Sequence, residues 1–370
     1  MKLANSRELL LAAFVLFLVI LGLPRFDRFT TNIFLARTLL ENISHEPVLG
    51  TYTTDMQDYL RTYYEVRKGQ PYYLSFAQSS IGNADRGKLP GEIWGWKLPV
   101  IFYVWSFLPG PDGVSIYFWF LLLVLAVLYA SYKLAYKFVG KFAILSPYML
   151  ASYFVLPLTD HTLFQVEWWA LCFFILGLTS LIYRKKMLAL IFFFLCIFTR
   201  ELFLFHLLML ALVYCSFRRF RDLWIFVLPA VSLAVFYIFV HLPNVYGFES
   251  FGSINNWWRT NWYRGWYLVR PTLSYASWNY FVYNLHPLRI FFALSSAGLL
   301  AKLCLTKNRQ VALLALVSFL PFFVFIFFGG IQTKWQDYWG IYYIPLSIIF
   351  VPIALSLLYP NRQKDEKPIC

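Results

Sequence analysis

Charged side chains are scarce in this chain. Only 14% of its 370 residues are Asp, Glu, Lys or Arg, whereas 60% are hydrophobic, and the mean hydropathy is +0.60. A soluble domain carries about 25% charged residues, so the composition argues against an ordinary soluble fold. In a membrane protein, the net charge of +14 is expected to mark cytoplasmic loops rather than a nucleic-acid surface.

Sequence motifs that bind nucleotides or metals are also missing. The chain contains no G-x-x-x-x-G-K-[ST], no G-x-G-x-x-G, no Asp-x-Asp and no C-x-x-C, and these patterns typically hold phosphates, dinucleotides or zinc. Its five cysteines lie in apolar blocks or in the C-terminal tail, which predicts no disulfide framework. The first apolar block, residues 8–24, is followed by no small-x-small cleavage pattern and is expected to remain as a helix.

Long apolar blocks predict an all-α polytopic membrane protein with about ten transmembrane helices, because a helix needs roughly 20 apolar residues to cross a bilayer. A pair of short helices is expected to meet near Thr199-Arg200-Glu201. The expected helices lie near residues 8–24, 114–136, 142–157, 163–183, 187–217 (the pair), 223–241, 287–305, 311–328 and 341–358.

Basic clusters between the blocks set the expected topology. Short loops rich in Lys and Arg stay cytoplasmic, which predicts cytoplasmic termini and outer segments at 25–113, at Asp160 and at 242–286. We expect a membrane module over 1–241, which includes outer loop 25–113, and a C-terminal module over 242–370, which includes the Trp-rich loop 242–286. The basic clusters lie at residues 133–141, 184–186, 218–221, 302–309 and 362–367.

The first outer loop carries two groups of polar and aromatic residues. Asp55 and Tyr59 are four residues apart, on one face of a predicted helix; Asp58 is a rival acid on a neighbouring face. Lys97, with Tyr103 nearby, opens an apolar segment too short to span. The simpler interpretation of Asp55 is a solvated helix start, and that of Lys97 is an interfacial anchor. The functional interpretations are a catalytic acid for Asp55 and a phosphate-binding ammonium for Lys97.

Two further charged groups lie between or within apolar blocks. Asp160 lies between the third and fourth predicted helices. Arg200 and Glu201 lie inside about thirty apolar residues, where a charge costs several kcal/mol unless it is paired or faces a wet cavity. Adjacent residues do not face each other on a helix, so each charge is expected to have another partner. This pattern favours a functional role.

In this order, these pieces resemble the GT-C superfamily of membrane glycosyltransferases, and most of all its protein mannosyltransferase and aminoarabinose transferase branch. The resemblance covers roughly residues 1–210 and is only architectural beyond them. The second segment departs from the family pattern, because Leu98 stands where the first of two prolines is usual. The matching segments are Asp55-x-x-x-Tyr59 with Gly69-Gln-Pro-Tyr72-Tyr73, Lys97-Leu-Pro-Val-Ile-Phe-Tyr103-Val-Trp105, Thr159-Asp160 and Thr199-Arg200-Glu201.

The resemblance implies transfer of a sugar from a polyprenyl-phosphate donor to a lipid, glycan or protein acceptor, with inversion, at an outward-facing site. Asp55 would be the general base, and Asp160 would position the acceptor or balance charge. Lys97, with Arg200, would hold the departing phosphate. Substrate contacts are also expected from Tyr59, Tyr103 and Glu201.

No cofactor is required by this chemistry, although some relatives use a divalent metal, which Asp55 and Asp160 could bridge. A prokaryotic plasma membrane is the expected location, with no nucleic-acid partner. Two alternatives remain. A polymerase or ligase of lipid-linked glycans would carry its functional arginines in loop 242–286, and a transporter or flippase would show repeated halves with interrupted helices.

Overall fold

In the computed structural model, every regular element among the described residues is a helix. The structure describes residues 54–82, 89–90, 95–109, 112–159, 161–248, 287–305, 309–321 and 340–358. The predicted helix at 8–24 and Asp160 therefore lie outside the described residues, as does loop 242–286 beyond residue 248.

Thirteen α-helices are numbered here along the described part of the chain. The first three belong to the expected outer loop: α1 Thr54–Arg67, α2 Tyr72–Ile81 and α3 Val100–Phe107. The others are α4 Asp112–Val139, α5 Leu145–Thr159, α6 Val166–Ile182, α7 Lys186–Thr199, α8 Leu204–Ser216, α9 Trp224–Phe236, α10 Leu242–Tyr246, α11 Pro287–Leu305, α12 Arg309–Val317 and α13 Ile344–Leu358.

The positions of the helices between residues 112 and 216 follow the apolar blocks. The expected pair over 187–217 is confirmed as α7 and α8, which are separated by Arg200 and a 3₁₀ turn at Glu201–Phe203. The helix expected at 287–305 is confirmed as α11.

The helix expected to end near residue 241 instead continues. A π-helical turn over Tyr237–His241 joins α9 to α10, so the helical path runs to Tyr246. Pro243 follows the π turn, where the α-helical hydrogen-bond register is already shifted, and this makes its missing N–H less disruptive. The side chain of Asn244 then donates to the carbonyl of Val240.

Two helical segments in the described part of the chain are long and apolar enough to cross a membrane. They are Ser115–Val139 and Trp224–Tyr246, with mean hydropathies of 1.9 and 2.3 in their most apolar windows. The other apolar helices are shorter. The count of about ten spans and the division into two modules stay predictions.

Aromatic side chains hold the outer-loop helices together and against the longer helices. Trp105 of α3 is fully buried and contacts Tyr63 of α1 and Trp169 of α6 edge-on. Such ring pairs contribute about 0.5–1.5 kcal/mol each beyond the burial of their area. This packing holds α3, and the segment that precedes it, close to α7.

Small residues bring the C-terminal helices into close contact. α13 packs against α4, α5 and α11. Where α11 and α13 cross, a Cβ added to Gly298 would lie 2.8 Å from the backbone nitrogen of Ala354. Close backbone approach through small residues is typical of helix pairs in membranes.

We expect Gly298→Ala to destabilise the protein by about 1–3 kcal/mol. The new methyl group meets backbone, which cannot rotate away. This overpacking outweighs the gain of about 1 kcal/mol in helix propensity. Thermal unfolding in detergent, followed by tryptophan fluorescence, measures the change.

Gly247→Ala is the matched control, because its added Cβ would meet its nearest atom, the carbonyl oxygen of Asn244, at 3.4 Å. Its stability should stay within about 0.5 kcal/mol of the wild type. Equal unfolding midpoints for both variants would contradict the close crossing of α11 and α13.

Candidate functional site

Lys97 lies in the short segment before α3, and its side chain is almost fully buried. The hydroxyl of Tyr72 donates to the Lys97 carbonyl at 2.5 Å and fixes the backbone. The ammonium nitrogen lies 5.9 Å from the centre of the Tyr59 ring. It lies 3.7 Å from Glu167 Oε1, in the first turn of α6.

Arg200 lies at the interruption between α7 and α8, and 2% of its surface is exposed. Its Nη1 donates to Glu201 Oε1 at 2.6 Å and its Nε donates to the hydroxyl of Tyr342 at 3.0 Å. Nε also lies 2.9 Å from Glu167 Oε1. Because the Nε–H bond is directed at Tyr342, this last contact is an ion pair without a hydrogen bond.

The expectation that Arg200 and Glu201 do not face each other is wrong. Arg200 has φ −149° and ψ 107°, which is extended backbone. The rule for adjacent residues holds on a continuous helix, and the helix is broken here, so the two side chains meet. The expected further partner of Arg200 is present as Glu167.

Burial and the neighbouring positive and negative charges change the pKa of Lys97. Burial is the largest cause that lowers its pKa, and the positive charge of Arg200 lowers it further. The carboxylates of Glu167, Asp55 and Glu201 act in the opposite direction, and the net pKa lies below the ordinary lysine value. Asp55 is therefore part of the same electrostatic cluster.

Asp55 and its rival Asp58 have different surroundings. Asp55 lies in the first turn of α1 and is partly exposed. Asp58 is fully buried, and its Oδ2 accepts a hydrogen bond from Ser80 of α2 at 3.3 Å. A base needs access to its substrate, so the geometry favours Asp55 as the acid that could meet an acceptor.

Five of the residues singled out in the sequence interact with one another in the structure. Tyr103 is 41% exposed and interacts electrostatically with Tyr72 and Tyr73. Asp160 is outside the described residues. The five interacting residues are the partly exposed Asp55 and the buried Tyr59, Lys97, Arg200 and Glu201.

Sequence reasoning gave no site role to Glu167 and missed Tyr342. Glu167 is an acid in an otherwise apolar helix, a signal that could have been followed. Tyr342 is one tyrosine among 26, and no local pattern distinguishes it. The π turn was also missed. It places the rings of Tyr237 and His241 4.7 Å apart, and π turns are frequent at functional sites.

Several buried polar atoms around this cluster have no hydrogen-bond partner within the described residues. They are Glu167 Oε1, Glu201 Oε2, the Tyr237 hydroxyl and His241 Nε2. Tyr237 is within electrostatic range of Glu201 and Tyr73, and Tyr73 is hydrogen-bonded to His241 Nδ1 at 3.1 Å. Acceptors and hydroxyls of this kind suit a hydroxyl-rich ligand or water.

The described residues do not form a metal site. The described residues hold no cluster of three His, Cys, Asp or Glu side chains suited to a metal ion. The pair predicted to bridge a metal includes Asp160, so metal binding by Asp55 and Asp160 stays a prediction.

We expect Glu167→Ala to lower the free energy of unfolding by about 3–5 kcal/mol. The substitution removes the carboxylate that neutralises Arg200 and Lys97 in the interior, and an unpaired buried charge is costly. Thermal unfolding in detergent tests this.

The control is Glu65→Ala, which breaks the exposed 3.0 Å pair with Lys68. Exposed pairs contribute about 0–1 kcal/mol. If Glu167→Ala and Glu65→Ala unfolded at the same temperature, the cluster would have no stabilising role.

Comparisons with known proteins add no assignment to this geometry. The chain matches no protein-family model, no curated protein and no solved structure.

Proposed function

We propose that the protein is a polytopic membrane glycosyltransferase of the GT-C kind. It would move a sugar from a polyprenyl-phosphate donor to an acceptor on the extracytoplasmic side, with inversion at the anomeric carbon. The observation that carries the proposal is that Lys97 and Arg200 lie together in the interior and that the partly exposed Asp55 acts electrostatically on Lys97, because the sequence predicted these residues as a site although they lie far apart in the chain.

Exposed apolar stripes support the membrane setting. Only 39% and 28% of the most apolar windows of Ser115–Val139 and Trp224–Tyr246 are buried, whereas the core helix of a soluble protein would be mostly buried. Large apolar surfaces in water are unfavourable, and a bilayer removes that cost. The exposed side chains recur at helical spacing as Phe118, Leu122, Leu125 and Tyr129 on α4, and as Val227, Val231 and Val235 on α9 followed by Ile238 in the π turn.

The depth of the cluster supports an interfacial reaction. α7 has 14 residues and is therefore about 21 Å long, shorter than the hydrocarbon core of about 30 Å. If Lys186, the first residue of α7, lies at the cytoplasmic interface, Arg200 lies inside the membrane, short of the outer interface. A lipid-linked donor can present its phosphate at this level.

Lys97 and Arg200 are suited to different tasks. Arg200 is held by Glu201, Tyr342 and Glu167, so we assign it to positioning the cluster. Lys97 belongs to the outer-loop segment before α3, the side from which a lipid-linked donor would approach in this proposal. We therefore assign the leaving phosphate to Lys97, which would stabilise the negative charge that develops as the donor bond breaks.

In the proposed reaction, the Asp55 carboxylate takes the proton of an acceptor hydroxyl as its oxygen attacks the anomeric carbon. The bond between that carbon and the phosphate oxygen breaks, and polyprenyl phosphate leaves with the bonding electrons. Proton removal helps because a neutral hydroxyl is a weak nucleophile. Glu201 Oε2, which has no hydrogen-bond partner within the described residues, offers an acceptor for a sugar hydroxyl.

One observation favours a transporter as the second candidate. The break at Arg200 and the π turn at Tyr237–His241 interrupt two apolar helical segments, and transporters bind substrates at such interruptions. A transporter would move the lipid-linked sugar intact, whereas the enzyme releases polyprenyl phosphate. The assay below distinguishes them by product.

We expect Asp55→Asn to reduce turnover by about 10²–10⁴-fold with donor affinity largely kept, since the amide cannot accept the proton. The assay uses protein reconstituted in vesicles, radiolabelled polyprenyl-phosphate mannose or glucose, and an extract of cellular lipids, glycans and proteins as acceptors. Release of polyprenyl phosphate and incorporation of label are both measured.

Two variants serve as controls for this experiment. Glu65→Gln changes an exposed acid on the same helix and should leave turnover unchanged. Asp58→Asn should keep the rate per folded molecule, because its carboxylate lies between α1 and α2. Normal turnover by Asp55→Asn together with loss in Asp58→Asn would transfer the base role to Asp58.

We expect Lys97→Met to raise the donor KM at least tenfold, since the ammonium that binds the phosphate is lost while the apolar stem is kept. Lys68→Met, at an exposed lysine, is the matched control and should behave as the wild type. A donor KM and kcat equal to those of the wild type would dismiss the phosphate role of Lys97.

A further inference from the structure

A cavity of about 640 Å³ lies where the α6–α7 and α8–α9 connections meet the start of α12. It is separated from the candidate site by the length of α7, which runs from Lys186 at the cavity to Thr199 beside Arg200. We call it the basic cavity. Its charged lining residues are Arg184, Lys186, Arg218, Arg219, Arg221 and Asp222.

The charge of the basic cavity is strongly unbalanced. Five of its lining side chains are basic, and Asp222 is the single acid among the described lining residues. The Asp222 carboxylate is already paired with Lys186 at 2.5 Å, and this ion pair joins the two connections. Five basic side chains and one acid give the described lining a net charge of +4.

Two of these arginines occupy an unfavourable backbone conformation. Arg184 has φ 60° and Arg218 has φ 56°, in the left-handed region that favours glycine. Each follows a helix that ends in a Schellman motif, whose local backbone bonds run from Lys185 N–H to the Ser180 carbonyl and from Arg219 N–H to the Tyr214 carbonyl. Strained residues of this kind cluster at ligand sites.

A buried amide adds an independent indication of a ligand. Gln310, in the first turn of α12, lines the cavity and is 8% exposed. Its Nε2 has no hydrogen-bond partner within the described residues. A buried donor without a hydrogen-bond partner is costly, so a ligand that offers an acceptor to this side chain would be favoured.

The remaining lining residues indicate the rest of the ligand. Leu181, Ile182, Val311 and Leu314 form an apolar wall beside the basic side chains. Arginine clusters suit phosphate groups, and an apolar wall suits an acyl chain. From this combination we propose that the basic cavity binds a phosphate-bearing ligand, with an anionic phospholipid of the inner leaflet as the favoured source.

The orientation rule for basic loops does not by itself account for this cavity. That rule requires Lys and Arg near the ends of spans, but it requires neither a cavity nor an unpaired amide within it. The proposal also stands apart from sugar transfer, since it uses none of Asp55, Lys97 and Arg200.

The test measures the thermal unfolding midpoint of the full chain in detergent while ligand is titrated. The probes are dioctanoyl phosphatidylglycerol, dioctanoyl phosphatidylcholine, glycerol 3-phosphate and inorganic phosphate. The main variant is Arg218→Gly, which removes a charge and also relieves the strained backbone, so its midpoint without ligand should equal or exceed that of the wild type. Lys133→Gln is the control, because Lys133 lies near the same end over the Tyr183 ring, outside the cavity lining.

We expect phosphatidylglycerol to raise the midpoint of the wild type and of Lys133→Gln, with affinity at least tenfold weaker in Arg218→Gly and no rise with phosphatidylcholine. The same pattern with glycerol 3-phosphate or inorganic phosphate would support the site and identify a soluble phosphate compound as its ligand. No rise with any probe, or equal rises in wild type and Arg218→Gly, would overturn the proposal.

Discussion

The buried guanidinium of Arg200 is the constraint on which the rest of this structure depends. A charge in an apolar interior persists only when it is neutralised and hydrogen-bonded. Its partners come from separate segments. Glu167 from α6 and Glu201 from the next turn neutralise it, and Tyr342 from the segment before α13 accepts a hydrogen bond. Arg200 thus joins three segments of the helical bundle, and Glu167 extends the cluster to Lys97.

The same constraint explains why polar groups gather inside an apolar bundle. Extended backbone at Arg200 breaks the helix between α7 and α8, and the break turns Glu201 toward its neighbour. Near it, Glu201 Oε2 and the Tyr237 hydroxyl have no hydrogen-bond partner in the described residues. These groups are suited to a hydroxylated ligand, and the partly exposed Asp55 is suited to proton transfer.

The sequence predicted much of the fold between residues 112 and 216, because apolar blocks and basic loops are local signals. It also identified Arg200, since a charge inside thirty apolar residues is locally visible. It could not identify Tyr342 as its partner, because that contact depends on packing across 142 positions. The choice between Asp55 and Asp58 likewise depended on how α1 packs against α2, which spacing alone does not determine.

Positive side chains have different surroundings at the two ends of the α7–α8 pair. At Arg200 the charge is neutralised by two carboxylates, whereas at the other end Arg184 and Arg218 are placed where glycine would be less strained, at a cost of about 1–2 kcal/mol each. If only membrane orientation were required, the neighbouring Lys185 and Arg219 could supply the charge, with glycine at the strained positions. Arginine at these two positions is therefore more than orientation requires, in agreement with the ligand proposed for the basic cavity.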